Sequence, residues 1–388
     1  MNIQPRPLKD GKPAWRCEFT AGHDPATGDL RRIRETFRGT KREAERFWAK
    51  RQAEIDAAGA GFVKGAKDTL ADYLARWLLD YGAPNLKPTT LASYRTLADR
   101  HVIPALGAVP LSDLTAQAVS AWQADMLRKP GRGGRALSLK RVANARMMLH
   151  TALQEAVRLG VISSNPVARV RPPKQTPKKV EGFTLAQVEA LTATAEGHRL
   201  EALFATAWQT GMRMGELLGL RWTDVDFDAG TVRVEATAAS TGGPVFIQTP
   251  KTEAGTRTLA LPPPTMAAIR AHRARQAQER LKAGKAWQDR GLVFPTSKGT
   301  PIMPTSLEKT WYAVRDRAGL PPFGFHSLRH TYASLALSSG VALEMVSENL
   351  GHKNPGFTKR VYAAYLLDAK RAAADTMAAL IGRVRHGQ

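Results

Sequence analysis

Two stretches of this chain read as linkers, and they divide it. AGAGFVKGAKD (Ala58 to Asp68) is small and glycine-rich, the composition of a flexible linker. NPVARVRPPKQTPKK (Asn165 to Lys179) is rich in proline and in lysine and arginine, so it reads as an interdomain linker. A chain interrupted twice folds as separate bodies, and 388 residues suffice for three. The boundaries read as 1–60, 68–165, a basic linker over 166–180, and 181–388.

The first body reads as a small α+β module. AWRCEFT alternates as a strand, GHDPATGD is turn chemistry, and LRRIRETF returns as a second strand. A helix follows from Thr40, where Thr40 and Glu43 have the spacing of a capping box. In the second body Leu70, Tyr73, Leu74, Trp77 and Leu78 make one helical stripe. A second helix runs from Pro88 until Pro104 and Gly107 stop it; a third follows Thr115, and a fourth ends at Gly160. The third body opens with a capped helix from Thr184. It continues with a long helix broken at a glycine, three strand-like runs (WTDVDFDAGTVRVEA, GPVFIQTPK, TRTLAL) and the helix TMAAIRAHRARQAQERL. GLVFPT reads as a short strand, SLEKTWYAVRDRAG as a helix, and the chain is helical from HSLRH onward. The fold class is therefore multidomain and mainly α, with a small antiparallel sheet in each terminal body.

Charge narrows the partner. Lysine and arginine outnumber acids to give a formal net charge of +23, an excess that calls for nucleic acid first and an anionic membrane surface second. No apolar run is long enough to span a bilayer, and the start MNIQPRPLKDGK has no apolar signal core. The single cysteine, Cys17, excludes an intrachain disulfide framework and a cysteine-based zinc module. A cytoplasmic, nucleoid-associated protein with double-stranded DNA as partner, and no membrane, is expected. Arg31, Arg32 and Arg34 would let the hairpin lie in a major groove, as β-ribbon readers do. Thirteen Lys/Arg against two acids between Arg128 and Glu181 put Arg135, Lys140, Arg141 and Arg146 before and along a helix, an arrangement suited to phosphates.

The stretch from His326 to Tyr362 gathers the reactive groups. His326 and Arg329 are three apart and share a helical face. His326 and His330 have the spacing of a metal pair, but no glutamate follows His326, so the HExxH pattern is absent. Taken singly, Tyr362 reads as a core tyrosine, His352 as a loop histidine, Arg213 as the partner of Glu216, and Lys251 as a solvated turn lysine. Taken together they supply what a metal-free phosphodiester reaction requires: cations at the phosphate, a proton carrier and a hydroxyl nucleophile.

TGMRMGELLGL around Arg213, PKTEAGTRTL around Lys251, HSLRH at His326 to His330, LGH ending at His352, and Tyr362 ten residues on resemble the tyrosine recombinase family, most closely phage and integrative-element integrases. The resemblance covers the chain from about Glu181 onward. It implies a tyrosine recombinase α+β catalytic domain, a helical SAM-like core-binding domain, and an N-terminal arm-binding module, the last matched in layout only. It implies site-specific breakage and rejoining of DNA, which integrates or excises a phage or mobile element. In that chemistry Arg213, Lys251, His326, Arg329, His352 and Tyr362 are catalytic and Glu216 buttresses Arg213. Arg213 and Arg329 would hold the non-bridging oxygens, Lys251 would protonate the departing 5′ oxygen, His326 would accept the phenolic proton or bond the phosphate, and Tyr362 would form a 3′-phosphotyrosine. No metal or other cofactor is required, because the covalent link conserves the bond energy. The implied assembly is a homotetramer on paired attachment sites, with a DNA-bending protein and a directionality factor as further partners.

The chain departs from the family pattern at Lys353, Asn354, Pro355, Gly356 and Phe357, where small or hydroxyl residues are common, and Tyr365 is a rival nucleophile. After Tyr362, the apolar stripe Leu366, Leu367, Ala372, Ala373, Met377, Leu380 and Ile381 would dock on a neighbouring protomer or on its own domain. A type IB relaxing topoisomerase and a non-catalytic DNA-binding protein on the same scaffold are the alternatives.

Overall fold

The structure is a computed structural model, and it describes residues 2–6, 13–23, 30–58, 68–128, 136–174, 181–249, 255–352 and 354–362, with residues 365, 374, 377 and 378. The side chains of residues 21–23, 30, 31, 54–58 and 357 lie outside that description. The chain divides into two units, Met1–Pro177 and Lys178–Gln388.

The first unit holds two separate hydrophobic clusters. The smaller belongs to an antiparallel sheet of β1 (Asn2–Pro5), β2 (Ala14–His23) and β3 (Leu30–Arg38), backed by α1 (Lys41–Ala58). Sequence reading missed β1, whose NIQP has little apolar content to mark it. Strand alternation sends Cys17 and Phe19 inward against Phe47 and Trp48. Trp48 also donates from Nε1 to the Glu18 carbonyl at 2.8 Å. The expected cap closes α1: the Thr40 amide donates to Glu43 at 2.8 Å and the Glu43 amide to Thr40 Oγ1 at 3.4 Å.

The larger cluster is helical. It is formed by α2 (Leu70–Trp77), α3 (Ala83–Asn85), α4 (Pro88–Leu97), α5 (Ile103–Leu106), α6 (Ala116–Arg128) and α7 (Leu139–Arg158). In α7 the stripe Val142, Ala145, Met148, Leu149, Ala152, Leu153 and Ala156 is buried. Each fully buried leucine there contributes roughly 1.5–3 kcal/mol. Pro104 does not stop the second helix as its chemistry predicts. A π turn over Ala98–Val102 lets Ile103 donate to Ala98, and the helix resumes with Pro104 in its first turn. The wider turn moves the carbonyl that the proline ring would strike, and proline has no amide to leave unpaired. The same device, a π turn over Leu78–Gly82, precedes Pro84.

The start of the expected linker is folded instead. Pro166–Arg169 forms a 3-10 turn capped by Asn165, and Val167 and Val170 are buried in the helical cluster. The apolar valines outweigh the surrounding charge because Arg146 turns inward and donates to the carbonyls of Val167 and Val170. Residues 175–180 lie outside the described residues.

In the second unit α8 (Leu185–Ala195), α9 (Glu201–Thr210), α11 (Pro263–Ala283) and α12 (Pro304–Arg317) surround an aromatic core of Phe183, Phe204, Phe294, Trp311 and Phe325. A sheet ordered β4 (Val225–Asp226), β5 (Thr231–Val234), β8 (Arg257–Ala260) and a hairpin of β6 (Thr237–Ala239) and β7 (Phe246–Gln248) are antiparallel. GLVFPT is not a strand. Leu292, Val293 and Phe294 are buried, but the segment makes only isolated bridges, Arg221 to Leu292 and Pro295 to Pro301, because Pro295 has no amide to extend a ladder. Short α10 (Met214–Gly219) lies against β6, where a side chain on Gly215 would meet Thr237 and the Ala238 carbonyl. Three helices complete the unit: α13 (Ser327–Ser338), α14 (Leu343–Leu350) and α15 (Pro355–Val361). Among the described residues, no helix is long and apolar enough to cross a membrane.

Candidate active site

The site is assembled around the C-terminal end of α14. A helix leaves its last carbonyls without intrahelical partners, and its dipole makes that end partially negative. Here three successive carbonyls each take a guanidinium from a different part of the sequence. Arg257 donates to Asn349 at 2.6 Å, Arg329 donates to Leu350, and Arg213 donates to Gly351 at 3.2 Å. The LGH motif explains itself in these terms. Leu350 is fully buried, and Gly351 takes φ 63°, a conformation that a side chain disfavours. The amides of Gly351 and His352 then close on the Glu348 and Ser347 carbonyls, which ends the helix in a Schellman motif.

Arg213 sits at the N-terminus of α10, and its guanidinium is bonded to Glu216 at 2.7 Å. The Glu216 carboxylate is 3 % exposed and also bonds Arg257 at 2.9 Å. Burial pushes its pKa up, but hydrogen bonds and charge from Arg257 and Arg213 outweigh this and hold it below the usual carboxylate range. The carboxylate therefore stays ionised and fixes the plane of Arg213, whose side chain remains 41 % exposed. Arg257 was missed by sequence reading. The signal was available: it lies in phase with buried Leu259 and Leu261, so an arginine there must be buried and paired.

Arg329 is 3 % exposed and donates to the Gly211 carbonyl at 2.7 Å as well as to Leu350. Gly211 ends α9 at φ 65°, and a side chain there would strike Tyr332 and Leu350 at 2.7 and 2.8 Å. Burial, then the charge of Arg213, pushes the Arg329 pKa down to about 9, which leaves it cationic at neutral pH. Two helix ends thus position a buried cation whose remaining N–H groups can serve an anion.

His326 precedes α13. Loss of solvent, then Arg329 and Arg213, lowers its pKa. His352 bonds Thr358 Oγ1 at 2.7 Å through Nδ1, and burial together with Arg329, Arg213, Arg257 and His326 lowers its pKa to about 4. Tyr362 caps α15 and is 2 % exposed, packed with Ala333, Leu337, Val346 and Leu350. Burial pushes its phenol up to about 12 despite Arg329. Its hydroxyl lies 2.6 Å from Nδ1 of His330, a residue that sequence reading weighed only as half of a metal pair. Tyr365 follows with its ring 6.4 Å away. Asn354 caps α15 and bonds the Gly356 amide at 2.8 Å, so the unusual connecting segment is ordered at that point by an Asx turn.

The other expected residues divide. Lys251 and Arg135 lie outside the described residues, as does the stripe after Tyr365 except for Met377. Arg31 is in β3, with its side chain outside the description. Arg32 and Arg34 are exposed and both face Glu18, at 3.2 and 3.6 Å. Lys140 and Arg141 are exposed in the first turn of α7. Arg146 is the exception: its guanidinium is committed to the Val167 and Val170 carbonyls, a structural role that the charge count could not reveal.

Comparison with known proteins identifies the family. A model of the phage integrase family matches residues 182–367, and one of the phage integrase N-terminal SAM-like domain matches residues 69–127. A XerC-like tyrosine recombinase of Caldanaerobacter subterraneus is 32% identical over 391 residues, covering 95% of this chain and 97% of its own length. An integrase of Streptomyces ambofaciens is 32% identical over 307 residues, 76% of each chain. Among solved structures, the Tn1549 transposon integrase in complex with a circular intermediate DNA aligns with a TM-score of 0.65 at 21% identity, over 80% of this chain and 99% of that one. A lambda integrase tetramer bound to a Holliday junction aligns with a TM-score of 0.55 at 19% identity, over 93% and 94%. The chain belongs to the phage integrase family of tyrosine recombinases, and it is a site-specific DNA recombinase.

Proposed function

We propose that this chain cuts and rejoins double-stranded DNA at attachment sites through a 3′-phosphotyrosine on Tyr362, and so integrates or excises a mobile element. The observation that carries the reading is the convergence of Arg257, Arg329 and Arg213 on the consecutive carbonyls of Asn349, Leu350 and Gly351 at the C-terminal end of α14, just before His352. That arrangement fixes two cationic forks, Arg213 and Arg329, before any anion arrives, which is the condition for electrostatic catalysis at phosphorus. Glu216 orients Arg213, and His352 and His326 supply further donors to the phosphate. Lys251 is assigned as the acid for the leaving 5′ oxygen on the strength of the sequence resemblance. The partner is double-stranded DNA, and the active assembly is a homotetramer on paired sites, the state in which the lambda enzyme was solved on its junction. A DNA-bending protein and a directionality factor are further partners, and the place of action is the nucleoid.

The test is a nicked suicide substrate carrying the attachment core read from the DNA flanking the coding region. Wild-type protein should form a denaturant-resistant adduct, and Tyr362→Phe should bind the same DNA and form none. Relaxation of a supercoiled plasmid lacking the site would instead favour a topoisomerase.

A further inference from the structure

Tyr362 poses a problem that the assigned residues do not solve. Tyr362 is 2 % exposed, so ionising its phenol before attack would leave the charge desolvated, and the Arg329 guanidinium offsets only part of that cost. The proton must therefore leave as the bond to phosphorus forms, toward a base already in contact. The described hydrogen bond of the phenol is to His330 Nδ1 at 2.6 Å. The His326 ring packs edge-on against the His330 ring, with centroids 4.8 Å apart at 89°.

We propose that His330 is a further catalytic residue, the base that takes the phenolic proton of Tyr362. The proposal rests on Tyr362 as the nucleophile. His330 is one helical turn beyond His326 on α13, so the two rings share a face, while Arg329 turns to the carbonyls of Gly211 and Leu350. The titratable and charged groups against His330 are His326 and Arg329 on its own helix and Tyr362 from the end of α15, with Tyr365 one ring further. Burial, then His326 and Arg329, lowers the His330 pKa to about 4. The ring is thus neutral at rest, and Nδ1 accepts from the phenol when the ring proton sits on Nε2.

The step balances. The proton passes from Tyr362 Oη to His330 Nδ1 as the Oη–P bond forms. The P–O5′ bond breaks, and the departing oxygen takes a proton from the acid on the opposite side of phosphorus. In the return step an incoming 5′ hydroxyl attacks phosphorus and yields its proton to that acid's conjugate base. The His330 imidazolium then returns its proton to the departing phenolate. His326 is left to the phosphate.

The test is single-turnover cleavage of the nicked substrate by the full chain between pH 6 and 10. His330→Gln retains an acceptor oxygen but cannot carry a proton, and His330→Ala retains neither. Both should bind DNA as the wild type does and cleave more slowly by about two to four orders of magnitude, the usual worth of a general base. The deficit should shrink as pH rises, because hydroxide replaces the lost base. Difluorotyrosine at position 362, a more acidic phenol, should restore much of the rate in either variant. Wild-type rate in His330→Gln, a deficit independent of pH, or no rescue by the acidic phenol would overturn the proposal. Should His330→Ala fail to fold, His330→Gln alone decides. Tyr362→Phe is carried in parallel: an adduct from that variant overturns the nucleophile assignment itself, whereas its absence beside unimpaired His330 variants overturns only the role of His330.

Discussion

Glu216 shows how much a single buried charge can organise. It holds Arg213 toward the surface and Arg257 in the interior, and each guanidinium reaches on to the end of α14. Replacing a buried partner of such a pair leaves an uncompensated charge, which costs about 3–5 kcal/mol. Glu216→Gln is therefore expected to cost stability on that scale, read as a lower urea midpoint of the full chain, and to abolish cleavage. A variant that keeps its midpoint would show that Arg257 finds another partner. The histidines set a pH dependence. His330 and His352 are held neutral, each lowered to about 4 against an ordinary value near 6.5. The unfolded chain binds protons that the folded one refuses, so their contribution is complete above about pH 6.5 and is lost as pH falls toward 4. Urea midpoints at pH 7.5 and 5 should differ by less in His352→Asn than in the wild type. Equal differences would mean that His352 titrates normally.

At the scale of elements, the turn that ends α14 matters more than the helix itself. Gly351→Ala forces a side chain into the left-handed region at a cost of about 1–2 kcal/mol, and it tilts the carbonyl that anchors Arg213. The expected result is a small stability loss with a much larger loss of cleavage. A proportionate loss of both would place the anchor elsewhere. Much of this was legible in the sequence, and the failures share a cause. The caps at Thr40 and Thr184, the stripe of α2 and the order of the motifs are local, and local chemistry survives in sequence. Pro104 and GLVFPT were misread because the outcome depends on a π turn and on missing ladder partners. His330 and Arg146 were misread because their partners are 32 and 21 residues away. No periodicity reports a contact across that separation.

For the whole molecule, the proposed mechanism assigns stabilisation of the phosphorus centre to the fixed arginines rather than to a metal. Cleavage should persist in EDTA, and loss with recovery on Mg²⁺ would contradict the mechanism. In the basic N-terminal module the heads of Arg32 and Arg34 are exposed while paired to Glu18, so redirecting them to phosphates costs little. Deleting residues 1–60 should spare binding to the core site and weaken binding to distal arm sites, measured by footprinting. Loss of the core site as well would merge the two modules into one. The central claim is the identity of the nucleophile, and peptide mapping of the trapped adduct tests it most directly. After nuclease and protease digestion, mass spectrometry should find the nucleotide remnant on Tyr362. A remnant on Tyr365, or on any other residue, would contradict the account.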